Sequence, residues 1–339
     1  MMLKIDTFNH IFPKPFFDRL QAVAVNKGAI KRWLNIPFLY DVDVRFRMLE
    51  EFGDDYRQVL SLSAPPIESI NPDRQITLDL ATLANDSMAN LVRLYPDRFP
   101  GFIASLPLNY PDESIHELER ALIKLEAIGV QVFSNVNGLP LDDRRFEALF
   151  NAADRLKCPI FLHPARGATF ADYASEDKSK YEIWWTFGWP YETSVAMQRL
   201  VFSGLFDRLP NIRIVAHHLG AMIPYFEGRV GYGLDQFGAR TADEDYEALR
   251  KSMAKRPYDY FKMFWGDTAV FGSKAATECG LSFFGPDQVV FASDAPFDPE
   301  GGSLYIRETL KVIDSLDITD AERHKIYQGN AERLFNCKF

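Results

Sequence analysis

Four apolar runs in this chain end in a histidine or an aspartate, and its chemistry is expected at those endings. Leu3-Lys4-Ile5-Asp6-Thr7-Phe8-Asn9-His10 ends in His10, and Ile160-Phe161-Leu162-His163 ends in His163. Ile214-Val215-Ala216-His217-His218 ends in a histidine pair, and Val290-Phe291-Ala292-Ser293-Asp294 in an aspartate. Imidazole and carboxylate are donors for a divalent metal, and both move protons when their surroundings tune them. His10, His163 and Asp294 supply two neutral imidazoles and one carboxylate, which leaves coordination positions open for water or substrate. Asp294 by itself could instead cap the turn after its strand. His217 and His218 point to opposite sides if both belong to the strand, so one faces inward and the other is expected to be structural. Periodicity does not choose between them.

Side chains at strand ends need a sheet to bring them together. Strands are expected at 3–10, 57–63, 102–108, 130–135, 159–163, 212–218, 261–265 (ending near Asp267) and 288–293. Helices are expected between them, for example at 43–52, 74–95, 112–128, 144–156, 191–206 and 273–282, with two more at 303–315 and 319–335. A strand-then-helix unit recurring every ~25 to 30 residues has the length of a parallel crossover. Eight such units predict an α/β chain folded as a (β/α)8 TIM barrel, with polar residues gathered at the C-terminal ends of its strands. A doubly wound open sheet fits less well, because no glycine-rich phosphate turn follows the first strand. One domain is expected over 1–339, with insertions at 13–40 and 166–189 and helices at the C-terminal end.

The bulk numbers suit that picture. The chain has 339 residues, 47% of them hydrophobic and 25% charged, enough for a large core. A net charge of −9 excludes broad nucleic-acid binding, which needs a basic footprint. It leaves room for an anionic substrate held by a local arginine. Cys158, Cys279 and Cys337 have no paired spacing, so free thiols and a cytoplasmic location are expected, with no zinc knuckle. No signal peptide or membrane-spanning run is read from the chain. The 14% aromatic content is high and points to a lined pocket or a subunit interface as well as a core.

Taken in order, several passages resemble one family. They are Ile5-Asp6-x-x-x-His10-x-x-Pro13, Leu162-His163-Pro164, His218-Leu219-Gly220-Ala221-x-x-Pro224-x-x-x-x-Arg229 and Ser293-Asp294-x-Pro296. Tyr95-Pro96-Asp97-Arg98-Phe99 and Gly329-Asn330-Ala331 agree with them. The ordered set is similar to the amidohydrolase superfamily, in the branch of metal-dependent decarboxylases that includes aminocarboxymuconate semialdehyde decarboxylase. The resemblance implies a distorted barrel with a divalent metal at its mouth, zinc first and manganese second, held by His10, His163 and Asp294. It implies that His218, rather than His217, is the acid–base residue, with Asp294 catalytic beside it. Arg229 matches an arginine that binds the substrate carboxylate and can be donated across a homodimer interface. Trp185 lies where relatives place an aromatic residue over the substrate. Arg45, Arg47 and Arg166 are further candidates for pairing the substrate carboxylate, each more readily read as a solvated surface charge. One departure stands out: the family's first strand ends in His-x-His or Glu-x-His, and here the first of those positions is Phe8. That change predicts weakened or absent metal.

The expected reaction is nonoxidative decarboxylation of a small unsaturated or aromatic carboxylic acid. Hydrolysis of a lactone or amide, possibly metal-independent, is the alternative on the same barrel. A barrel that only binds is a further one.

Overall fold

The computed structural model describes residues 2–339. Eight parallel strands form one sheet in chain order: β1 Lys4–Ile11, β2 Tyr56–Leu62, β3 Gly101–Ser105, β4 Gly129–Phe133, β5 Ile160–His163, β6 Ile214–Ala216, β7 Trp265–Asp267 and β8 Val289–Val290. Beyond β8 the chain turns onto the first strand. Thr7 N donates to Phe291 O at 2.9 Å, Asp294 N to Phe8 O at 3.2 Å and His10 N to Ala295 O at 2.8 Å. These bonds close the sheet into the expected (β/α)8 barrel. A register shift between Asp6 and Asn9 distorts the β1–β2 pairing on the side that carries His10.

Both faces of these strands are buried, which explains their continuous apolar runs. The barrel is filled by Ile5, Phe8, Val59, Ile103, Phe161 and Val215, and is plugged from below by Leu334 and Phe335 of the last helix. Arg213, just before β6, fixes that plug by donating to Leu334 O at 2.6 Å. Outside the strands, helices such as Arg74–Leu94 and Gly188–Phe202 shield the sheet. Asp73 starts the first of these by accepting from Ile76 N at 2.9 Å.

Several expectations shift in detail. Region 13–40 is not irregular but carries three short helices, Lys14–Val23, Lys27–Leu34 and Pro37–Tyr40. Residues 257–261 form a helix, so the seventh strand starts at Trp265 instead of before it. Segment 166–182 has no regular element, as an inserted loop should, whereas residues 221–232, expected as the start of a helix, are a run of turns ending in a wide helical turn at Arg229–Gly233. No helix among the described residues is long and apolar enough to cross a membrane.

Candidate metal centre and active site

The C-terminal ends of β1, β5, β6 and the loop after β8 bring four histidines and an aspartate together. His10 Nδ1 lies 3.0 Å from Leu62 O, and His163 Nδ1 lies 2.7 Å from Pro164 O. His217 Nδ1 is 2.6 Å from Asp267 Oδ2. Carbonyls and carboxylates accept, so each Nδ1 carries a hydrogen, and in the neutral ring each Nε2 keeps its lone pair. The three rings are therefore held in the tautomer that a metal-bound histidine has when its outer nitrogen is tied to an acceptor.

The ligand atoms of His10, His163 and His217 lie within 4.8 Å of one another, as do those of His217, His218 and Asp294. Asp294 Oδ1 is 3.0 Å from His10 Nε2 and 3.5 Å from His217 Nε2, yet neither nitrogen has a hydrogen-bonding partner of sound geometry. Buried polar atoms normally find partners. Atoms that converge without bonding to one another are suited to a shared cation, and the residues present fit a divalent metal.

His217 corrects one expectation. It is at the cluster, not set aside in a structural role, and His218 is there as well. The strand stops at Ala216, and His218 and Leu219 both take left-handed backbone angles, with φ of 55° and 54°. Side-chain alternation ends there, and the two rings sit side by side with centroids 3.8 Å apart. Such backbone is costly unless packing imposes it. Leu219 supplies that packing by filling a notch over Gly266 and Gly280, where an added Cβ would stand 3.0 Å and 2.1 Å from its side chain.

Electrostatics divide the roles. Burial alone would raise the Asp294 carboxyl, but the imidazoles of His10, His217 and His218 outweigh it and hold the group well below the usual carboxylate range. Burial, then the neighbouring imidazoles, pushes His163 far down. Burial likewise acts to lower His217, but with no cation at its Nε2 Asp267 and Asp294 overcome it and raise the group to about 9, and a bound metal would take the place of that proton. Burial and the charge of His217 lower His218. Both His218 ring nitrogens lack hydrogen-bonding partners, and its Nε2 is 3.5 Å from Asp294 Oδ2.

Phe8 lies among these rings, with its centroid 5.1 Å from His10 and 4.6 Å from His217. It fills the corner from which β1 could have sent a second ligand. The indole that packs on His163 is Trp189's, at 5.5 Å, backed by Trp184. Trp185 instead donates from Nε1 to Glu182 at 2.8 Å. Arg229 is exposed, with its guanidinium 5.6 Å from the Phe226 ring, on a groove lined by Tyr191, Val195 and Met222. Arg45 is no surface charge: it is fully buried and braces β1 by donating to Asn9 Oδ1 at 3.0 Å, to Gln58 Oε1 at 2.8 Å and to the His10 carbonyl. Arg166 pairs with Glu192 at 2.9 Å. From sequence, His217 is set aside as structural and Arg32 is not singled out. Arg32 reaches the mouth from the first insertion, 5.1 Å over Phe297, whose ring is 5.6 Å from His10. Asp267 at the end of the next strand could have signalled His217. Nothing in the spacing signals Arg32.

A closed parallel barrel with imidazoles and a carboxylate converging at its C-terminal mouth defines a metal-dependent barrel enzyme. The chain belongs to the amidohydrolase family, whose model matches residues 48–337. It is 33% identical over 292 residues to the 2-amino-3-carboxymuconate-6-semialdehyde decarboxylase of Dictyostelium discoideum, covering 86% of this chain and 76% of that one. It is 32% identical over 334 residues to the gamma-resorcylate decarboxylase of Rhodococcus jostii, covering 95% and 92%. A dihydroxybenzoic acid decarboxylase from Polaromonas sp., solved with bound manganese and the inhibitor 2-nitroresorcinol, superposes with a TM-score of 0.77 at 26% identity, covering 99% of this chain and 97% of that one.

Proposed function

We infer that this protein is a nonoxidative carboxy-lyase that removes CO2 from an aromatic or unsaturated carboxylic acid at a divalent metal centre. The observation that carries this is His218, an imidazole whose two ring nitrogens are buried and unpartnered beside Asp294 and three converging Nε2 atoms. The decarboxylase relatives support it.

His10, His163 and Asp294 would hold the metal, with His217 as a fourth donor. Three imidazoles and a carboxylate suit zinc, while the Polaromonas relative holds manganese. When bound, the ion offsets negative charge that develops on the substrate. Breaking the bond to the carboxylate carbon leaves its electron pair on the ring or vinyl carbon, CO2 departs, and that carbon takes a proton. His218 holds and moves that proton at Nε2, with Asp294 Oδ2 positioned to exchange it. Trp189 covers the ring and excludes water from the reacting carbon. Trp185 remains a candidate for the substrate's outer edge.

Arg32 and Arg229 are two cations placed to pair with a carboxylate. The apolar groove under Arg229 supports a homodimer in which this arginine serves the neighbouring site. Three free cysteines support a reducing, cytoplasmic location. Metal analysis of purified protein, followed by measurement of CO2 release from a panel of aromatic acids, tests the reading. CO2 release that disappears on chelation is expected; hydrolysis of a lactone without CO2 release overturns it.

A further inference from the structure

Beside the histidine cluster, the ends of β2, β3 and β4 enclose a narrow recess of about 10 Å³, room for one water-sized group, lined by Leu62, Ser63, Glu68, Ser105, Gln131 and Phe133. It adjoins the active site. The Leu62 carbonyl is the acceptor for His10, and the Phe133 ring lies 4.9 Å from that of His163. Three polar atoms in this recess have no partner in the protein: Glu68 Oε1, Ser105 Oγ and Gln131 Oε1. Their residues are only 4%, 6% and 3% exposed.

An unpartnered buried polar atom is costly, and three around one water-sized space call for a shared polar occupant. The surroundings fix them in place. Asn85 clamps the Ser105 backbone, accepting from its N–H and donating to its carbonyl at 2.9 Å in each case, which leaves the hydroxyl free. Asn137 Nδ2 donates to the Glu68 carbonyl at 3.3 Å, leaving the side chain to face the recess. Ser105 and Gln131 are register partners across β3 and β4. Burial pushes the Glu68 carboxyl up to about 8, so at neutral pH it both donates and accepts. Gln131 Oε1 only accepts, and the Ser105 hydroxyl does either.

We propose that Glu68, Ser105 and Gln131 form a polar subsite that receives a hydroxyl or amino substituent on the substrate ring and thereby selects among aromatic acids. Such a substituent brings a donor for Gln131 and an acceptor for Glu68 or Ser105, whereas a methyl or hydrogen leaves all three unpaired. Sites built to bond a hydroxyl reject analogues that lack it far more strongly than apolar pockets reject a missing methylene. The proposal rests on the carboxy-lyase reading for its substrate class, so its test has two arms.

In the first arm, crystals are soaked with resorcinol, which has no carboxylate to lose. An oxygen within hydrogen-bonding distance of Glu68 and Gln131 is expected, and its loss in Gln131→Met. No resorcinol oxygen in the recess, or only a water there, overturns the subsite whatever the second arm gives. In the second arm, kcat/KM is measured for benzoate, salicylate and the isomeric dihydroxybenzoates. The wild type is expected to favour one ring-hydroxyl position at least ~10-fold, a preference that collapses in Glu68→Leu and is kept in Glu68→Gln. An unchanged preference in Glu68→Leu and Gln131→Met overturns the proposal. Resorcinol bound as expected with no acid decarboxylated sinks the carboxy-lyase reading and leaves the subsite standing.

Discussion

Phe8 lies edge-on to His217, with ring centroids 4.6 Å apart and ring planes at 90°. The ring on β1 occupies the position of a missing ligand, and the imidazole it touches has an Nε2 within 4.8 Å of the ligand atoms of His10 and His163. In the proposed metal centre His217 would stand in for the donor that β1 lacks. Replacing His217 with Ala is expected to cut metal affinity as severely as replacing His163 with Ala, read as metal bound per chain after dialysis against a graded chelator. Phe8→Glu should restore much of that affinity in the His217→Ala background. Wild-type metal content in His217→Ala alone would refute the assignment.

Asp267 fixes the His217 tautomer through a 2.6 Å contact at Nδ1. Asp267→Asn keeps the shape but can present an amide hydrogen to that nitrogen, which then no longer requires the Nε2 lone pair to face the metal. A loss of about 10- to 100-fold in metal affinity is expected, the usual effect of such outer partners. Competitive titration with a chromophoric chelator reads it directly.

His218 carries the proton in the proposed reaction but is not needed to hold the cation. His218→Gln is expected to lower kcat by about 10² to 10⁴, the range for a positioned acid–base group. Its metal content and melting temperature should match the wild type. Equal activity in this variant would remove His218 from the mechanism.

Much of this arrangement is legible in the sequence. Apolar runs bounded by helical patterns specify the barrel, because parallel strands are buried on both faces and read as continuous hydrophobic segments. His10, His163 and Asp294 are visible because each ends such a run. What alternation misjudges is the pair at 217–218, because the rule holds only while the backbone stays extended. The left-handed turn there is imposed by Leu219 against Gly266 and Gly280, contacts made across many residues of sequence. Arg45 reads as a surface charge for a similar reason, since its acceptors on Asn9 and Gln58 come from two other elements. The subsite of Glu68, Ser105 and Gln131 is invisible in sequence, as three ordinary polar residues on separate segments carry no common spacing.

That turn can be tested through its support. Gly280→Ala would place a Cβ 2.1 Å from Leu219 Cδ2, in a helix whose backbone has little room to move. Overpacking of this kind costs about 1–3 kcal/mol. A lower melting temperature is expected together with weaker metal binding, because Leu219 sets the position of both preceding histidines. Destabilisation with unchanged metal affinity would show that the turn does not depend on this notch.

In the proposed reaction two cations are candidates for the substrate carboxylate. Arg32 sits 5.1 Å over Phe297 at the mouth, whereas Arg229 is exposed on the groove beside Tyr191. Arg32→Met is expected to raise KM about 10-fold or more with kcat and metal content little changed, the pattern of a lost charged contact in binding. If Arg229 serves a neighbouring subunit, Arg229→Met raises KM too, and a mixed dimer of Arg229→Met with a His218→Gln chain recovers one working site. Failure of that complementation in a proven dimer would confine Arg229 to its own subunit.

Glu68 gives the clearest pH signature. Burial raises its carboxyl from 4.5 in the unfolded chain to about 8 in the folded one. Between those values the folded state keeps a proton that the unfolded state has released, so stability falls as pH rises through this window. At about 1.4 kcal/mol per pH unit the full effect is roughly 5 kcal/mol, and it is present only above the folded value. Glu68→Gln preserves shape and cannot ionise. Urea unfolding of both proteins at pH 5 and pH 8.5 isolates the effect, because every other titrating group cancels in the difference. The variant is expected to gain several kcal/mol relative to the wild type at the higher pH and little at the lower one. An equal difference at both would mean that Glu68 ionises in the folded protein as readily as in the unfolded chain.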